Sequence, residues 1–306
     1  MAVNQHPDCA TPQVSVIIPN TNSALIGTIL DRLRLQTAGS ALLEILVVGS
    51  DQPGLVREDS QVRFIPMTHP THASDKRNRG MAEARGEIFL FLDDDCLPAH
   101  DLVARHLACH LAGEQIVGGA VDFASRPYIQ LADNLSAFHD LLPCTPSGSR
   151  SYLCTANLSI RRQAALCCGP MESRRSRAED LDWTLRLRAL GYRLFFEPLA
   201  VIDHQPARTT LSTVWRHWVD DAPFTLVVRL RHAQQLGTPE MARYRWPYLV
   251  LAPLIAAWAT ARTFSHPHAR YYYWHTLPLI YWTKLAWCWG AFSRFPLVLQ
   301  QSSTWA

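Results

Sequence analysis

Charge is scarce in this sequence and nearly balanced. Charged residues fill 18% of the 306 positions and the formal net charge is +3, too small a surplus to make nucleic acid the expected partner. The eight cysteines include no C-x-x-C pair, and two of them, Cys167 and Cys168, are adjacent. That spacing fits neither a zinc knuckle nor a disulfide framework, so reduced, mostly buried thiols of a cytosolic protein are expected. The leading stretch MAVNQHPDCATPQ lacks a basic segment followed by an apolar run, and no secretory signal is expected. Internal repeats and low-complexity segments are absent from the sequence. Long uncharged runs are few. WPYLVLAPLIAAWATA (246–261) would measure about 24 Å as a helix against about 30 Å of hydrocarbon. YYYWHTLPLIYWTKLAWCWGAF (271–292) is longer but contains His275, Pro278 and Lys284. Neither run is expected to span a bilayer.

What is present divides the chain in two. Nine of the ten tryptophans lie beyond residue 210, so an ordinary α/β region gives way to an aromatic one. Three regions are expected: a tail over 1–11, an α/β domain over 12–212, and a helical, aromatic-rich region over 213–306. Within the domain, VSVIIP (14–19), LLEILVVGS (42–50), VRFIPM (62–67) and EIFLFL (87–92) read as buried strands. Segments 23–37 and 74–84 read as helices, the first with Leu25, Ile29, Leu30 and Leu33 on one face. This alternation predicts a doubly wound, mainly parallel sheet, whose ligands bind beyond the carboxyl ends of the strands. Further strands are expected at 115–123, 155–162, 192–198 and 200–205, and a helix at 178–191.

Three polar clusters follow such elements. In EIFLFLDDDCLP an apolar strand runs into Asp93, Asp94 and Asp95. Extended chain would point Asp93 and Asp95 the same way and turn Asp94 aside; hard oxygen ligands of this kind suit Mg²⁺ or Mn²⁺, which keep bonds open to phosphate. In AEDLDW, Glu179 and Asp180 open a helix whose positive end favours carboxylates; one of them is a candidate general base, with Asp182 as an alternative. In VIDHQ, His204 follows a short apolar strand, where a lone histidine is usually structural; its imidazole is also a common ligand for divalent ions and would complete a site begun by Asp95.

The order of these segments resembles glycosyltransferase family 2, nucleotide-sugar transferases of the GT-A fold. VSVIIP, EILVVGSD, KRNRGMAEARGEIFLFLDDDCLP, TANLSIRR, AEDLDWTLRLRALGYRLFFEP and VIDHQ are each similar to the family's segments, and the likeness covers roughly residues 12 to 210. The resemblance implies that Asp93 and Asp95 are the D-x-D pair, Asp95 on the metal and Asp93 near ribose or metal, with Asp94 on the donor side. Asp180 would be the catalytic base and Glu179 its support; His204 would ligate metal. Arg77, Asn78 and Gly80 match the R-N-x-G stretch near the nucleotide, Asp51 would contact the base, and Pro19 and Asn20 would lie under the nucleoside. Lys76, where the family has a small residue, would either touch phosphate or, as the favoured reading, be a solvated helix residue. The arginine clusters at 161–162 and 174–177 would be solvated surface for the most part, or steer an anionic donor or lipid acceptor, with Arg174, Arg175 and Arg177 placed to close over the donor. The Q-x-x-R-W motif of processive synthases is absent: TVWRHW (213–218) has no glutamine and the wrong spacing.

These implications describe a metal-dependent, inverting transferase. It would move one sugar from a nucleoside-diphosphate sugar to a lipid-linked or envelope glycan acceptor. The aromatic region would lie at the cytoplasmic face of a membrane, its rings at headgroup depth, or else pack inward on the domain. A nucleotidyltransferase or sugar-nucleotide hydrolase would use the same acidic pair, and a degenerate domain would bind nucleotide or membrane without turnover.

Overall fold

The computed structural model describes residues 12–39, 42–68, 71–123, 125–173 and 177–302. The chain runs β1 (Val14–Thr21), α1 (Ile26–Arg34), β2 (Leu43–Ser50), β3 (Val62–Pro66), α2 (Ala73–Glu83), β4 (Ile88–Leu92), β5 (Cys96–Pro98), α3 (Leu102–Leu111) and β6 (Ile116–Asp122). It continues through α4 (Tyr128–Phe138), β7 (Gly148–Ser149), β8 (Asn157–Arg161), α5 (Arg162–Cys168), α6 (Glu179–Ala189) and β9 (Leu194–His204). Helices follow: α7 (Leu211–Arg231), α8 (Ala233–Leu236), α9 (Pro247–Val250), α10 (Ala252–Thr263), α11 (Pro267–Tyr272), α12 (Leu277–Ser293) and α13 (Phe295–Ser302).

One sheet carries the strands in the order β3-β2-β1-β4-β8-β6-β9-β5, with β7 paired to β9. The β3-β2-β1-β4 half is parallel, as its continuous apolar runs require, since such strands are buried on both faces. In the other half β8 runs antiparallel to both β4 and β6, while β6 and β9 are parallel. Two expected strands at 192–198 and 200–205 are one element, β9, whose register shifts opposite Gly119 and Ala120. Pro198, lacking an N–H, sits in that irregularity, where a bulge is tolerated.

The apolar positions of β1, β2 and β4 are fully buried, and Phe91 stacks edge-on against Trp183 of α6 at 5.8 Å. α2 lies very close to β1. A Cβ at Gly80 would stand 2.4 Å from Ile17 Cγ2, so the glycine serves helix–sheet packing. Gly80→Ala should destabilise the fold by about 1–3 kcal/mol; an unchanged urea midpoint would show instead that α2 shifts off β1 freely.

The helical region packs onto the sheet domain. Phe264, Ala269, Leu279 and Ile280 belong to the same core as the strands. Lys284, from the second uncharged run, is partly buried, donates to the Ser136 carbonyl (3.0 Å) and covers the Trp218 ring. The first run is divided at Leu251 between α9 and α10. Among the described residues no helix is long and apolar enough to cross a membrane. Inward packing takes Trp218 and Tyr248, whereas Trp246, Trp258, Trp274 and Tyr271 are more than 60% exposed. The described cysteines are free thiols, but Cys144 and Cys167 are exposed and only Cys96 and Cys288 are fully buried, which corrects the expectation of mostly buried thiols.

Candidate active site

β4 ends at Leu92, and the three aspartates that follow do not continue as extended chain. The Cys96 N–H bonds to the Asp93 carbonyl at 3.2 Å, closing a turn. The expected alternation therefore gives way to a fan, in which each carboxylate faces a different partner. Asp93 Oδ1 accepts from Arg77 at 2.5 Å. Asp94 Oδ2 points back to β1 and accepts the Thr21 N–H at 2.8 Å. Asp95 Oδ2 lies 3.4 Å from His204 Nε2. Burial raises the Asp94 carboxyl to about 6; the Thr21 N–H opposes that shift, and Asp95 and Asp93 add to it.

Lys76 corrects its expectation. It is buried, not solvated, and its ammonium donates to the Asn20 carbonyl (2.9 Å) and to the Thr21 hydroxyl. Burial lowers its pKa while Asp94 raises it. This ammonium braces the carboxyl end of β1 beside the aspartate turn.

His204 ends β9 beside the aspartate turn because β9 pairs with β5, with Cys96 opposite His204. Its Nδ1 lies 2.5 Å from Asn134 Oδ1. An amide oxygen only accepts, so the Asn134 oxygen favours the ring form with its proton on Nδ1, while Nε2 faces Asp95. A metal-ligating histidine needs such an outer partner to fix its second ring nitrogen. Burial would raise the Asp95 carboxyl, but His204 and the Cys96 thiol hold it below the ordinary range.

α6 supplies the other wall. Ala178, its N-cap, takes a left-handed φ of 60°, a conformation that costs a non-glycine residue about 1–2 kcal/mol. The kink presents Glu179 and Asp180 in the first turn. Glu179 Oε1 accepts from Arg77 at 2.7 Å, so one buried guanidinium joins α6 to the aspartate turn. Burial opposes the charge on Arg77, yet Asp93, Glu179 and Asp180 overcome it and hold its pKa above the usual range. Asp180 accepts the Leu181 N–H on Oδ1 at 2.7 Å. Burial and the neighbouring Glu179 raise it to about 7, against the pull of Arg77. Asp182 faces away, fully buried against Arg186, Arg231 and His232 at 3.0–3.1 Å. The alternative base is thus a structural anchor between α6 and the end of α7.

The sequence matches the profile of glycosyl transferase family 2 over residues 15–168. This chain belongs to that family. The glycosyltransferase AglE of Haloferax volcanii is 28% identical over 207 residues, which are 64% of this chain and 68% of that protein. The pre-mycofactocin glycosyltransferase of Mycobacterium tuberculosis is 28% identical over 227 residues, 67% of this chain but only 44% of its own length. Among solved structures, a mannosyltransferase from Pyrobaculum calidifontis in complex with GDP-Man and Mn²⁺ superimposes with a TM-score of 0.58 at 19% identity. The match covers 94% of this chain and 89% of that one, so the likeness in fold takes in the helical region as well as the sheet domain.

In this glycosyltransferase, several residues expected to touch the donor have other occupations. Asn20 is fully buried, donating to the Ser50 carbonyl (2.7 Å) and accepting the Ser23 N–H (3.2 Å). Asn78 both donates to and accepts from the Met171 backbone at 2.9 Å. The two amides fasten loops, β1 to β2 and α2 to the segment before α6. Pro19 is buried within β1. Asp51 is different: Oδ2 accepts the Val56 N–H at 2.7 Å, while Oδ1 is buried without a partner. Arg174 and Arg175 lie outside the described residues, and Arg177 donates to His217 Nδ1 at 2.9 Å.

His217 and Asp221 of α7 were not anticipated. One helical turn apart, they share a face, and both sense Arg177. Burial, with Arg208 and Arg177, lowers His217 to about 2; burial raises Asp221 to about 6 against the pull of Arg177. The i, i+4 spacing of His and Asp in HWVDD is the only sequence signal that marks this wall.

Proposed function

We propose that the chain transfers a sugar, with inversion, from a nucleoside-diphosphate sugar to a hydroxyl of a lipid-linked or envelope glycan at a membrane surface. The observation that carries this reading is the juxtaposition of two carboxylate sites across Arg77, Asp95 with His204 on one side and Asp180 on the other. The Asp95–His204 pair fits a dication. Its oxygen and nitrogen stand 3.4 Å apart, about the separation of two ligands on one ion, and Asn134 holds the imidazole in the ligating form. Mn²⁺ or Mg²⁺ bound there supplies charge stabilisation to the diphosphate leaving group. Asp93 stays on Arg77 at the donor side, Asp94 fixes the turn, and Asp51, whose Oδ1 is buried without a partner, would meet a donor base once that oxygen is uncovered. Asp180 takes the proton of the attacking hydroxyl. Glu179, by holding Arg77, sets where Asp180 stands.

Donor binding and product together test this. Nucleoside-diphosphate sugars should raise the melting temperature with Mn²⁺ far more than without it, and Asp95→Ala should remove that dependence. The product should be a glycoside of inverted anomeric configuration. Free sugar would indicate a hydrolase, pyrophosphate a nucleotidyltransferase, and binding without turnover over a broad acceptor panel a degenerate domain.

Membrane placement rests on charge and exposure together. From Met241 to Ala306 there is no Asp or Glu against five Arg and Lys284, and the exposed tryptophans lie in the same stretch. Rings and cations of this kind suit an anionic headgroup layer. The protein should co-sediment with vesicles containing anionic phospholipid and be released by salt. Trp258→Ser with Trp274→Ser should weaken that partition about tenfold or more. Equal binding to neutral vesicles would remove the anionic headgroups from the proposal, and no binding would remove the membrane.

A further inference from the structure

The loop after α4 and the entry to α11 bring a second group of ligand-type side chains together, far from the aspartate turn in sequence and held by different elements. His139 caps α4, Asp140 follows it, and His266 caps the N-terminus of α11. One ligand atom from each lies within 4.8 Å of the others. His266 Nε2 is 2.7 Å and His139 Nε2 3.4 Å from the same oxygen, Asp140 Oδ1. The rings meet edge to face at 5.8 Å.

We propose that His139, Asp140 and His266 form a transition-metal site, suited to Zn²⁺, that pins the end of α4 to the start of α11. Two ligands on a tetrahedral zinc stand about 3.3 Å apart. The His139 spacing already meets that value. The His266 spacing reaches it when the proton shared with Asp140 is displaced by the ion. Tyr152 O–H lies 3.5 Å from the second Asp140 oxygen and orients the carboxylate.

The chemistry of the surroundings selects the ion. Lys284 and Arg262 both act on His139 with positive charge, which disfavours an ion held by charge alone. Two imidazoles and a single carboxylate therefore select a nitrogen-seeking transition metal over Mg²⁺ or Ca²⁺. The three side chains are 16%, 27% and 33% exposed, leaving a route for the ion and a fourth position for water. The consequence is structural: the ion would fasten the aromatic helical region to the sheet domain from the side of α4.

The test uses the full chain carrying Asp95→Asn, so that the donor-side site is disabled, without any donor. Zn²⁺ should bind with one equivalent by calorimetry, and Co²⁺ should give visible absorption bands of tetrahedral strength. His139→Gln and His266→Gln, added separately, should each weaken Zn²⁺ binding about tenfold or more and quench the cobalt bands, with far-ultraviolet circular dichroism unchanged. Should His139→Gln fail to fold, the more exposed His266→Gln decides. Failure of Zn²⁺ to bind, equal affinity in the variants, or displacement by equimolar Mg²⁺ would each overturn the site. A null result here leaves the donor reading untouched, since that reading is probed separately with the wild-type protein, Mn²⁺ and nucleotide sugars.

Discussion

Asp180→Asn should bind nucleotide sugar within a few-fold of the wild type and lose transfer by about 10²–10⁴-fold, the range a positioned general base contributes. The replacement keeps shape, and its amide oxygen still accepts the Leu181 N–H now bonded to Oδ1. What it removes is the ability of the side chain to receive a proton. Because burial and Glu179 raise the carboxyl to about 7, the base is protonated and idle below that pH and competent above it. The wild-type kcat/KM should therefore climb with pH and level off above about 7, while the residual activity of Asp180→Asn stays flat across the same window. Glu179→Gln should behave differently. Its Oε1 is committed to Arg77 at 2.7 Å, so its loss should disturb geometry and lower activity without flattening the pH profile. Full activity in Asp180→Asn would remove the base from this residue.

The parts of the fold that were legible are those set by local pattern. Apolar runs of β-branched residues mark β1, β2 and β4 because both faces of each are covered, and Gly191 ends the α6 segment where a left-handed residue is needed. The order of β1, β4 and the aspartate turn made the lip of the sheet visible as the place for ligands. What stayed hidden depends on chain brought in from afar. The reversal of β8 is a matter of pairing direction, which buried strands do not encode in their composition. Lys76 has the composition of an exposed helix residue and is buried only because the carbonyl of Asn20 and the hydroxyl of Thr21 meet it. Asn134 reaches His204 across 70 residues and Arg77 reaches Glu179 across 102. Asn20 and Asn78 illustrate the converse. A polar side chain next to a site is as readily consumed by loop backbone, whose donors and acceptors must also be paired, as by a ligand.

Arg77→Met should cost more than any substitution of a single carboxylate in the site. The guanidinium side chain is 4% exposed and serves Asp93 and Glu179 at once, so its removal strands two acids beside Asp180 with nothing to offset their repulsion. Breaking a buried pair from one side typically costs about 3–5 kcal/mol, and denaturant unfolding should show a loss of that order. The pH profile should move as well. Arg77 is a force holding the Asp180 pKa down, so whatever activity survives in Arg77→Met should rise at higher pH than in the wild type. Arg77→Lys should recover little, because an ammonium is a single point of charge without the planar fork that serves two carboxylates. Adding Glu179→Gln to Arg77→Met should return part of the stability, since one of the stranded charges is gone, and a double-mutant cycle measures that coupling directly. If Arg77→Met unfolds at the wild-type midpoint, then Asp93 and Glu179 are held apart by something other than this residue, and the link it forms between the aspartate turn and α6 is not what sets the geometry of the site.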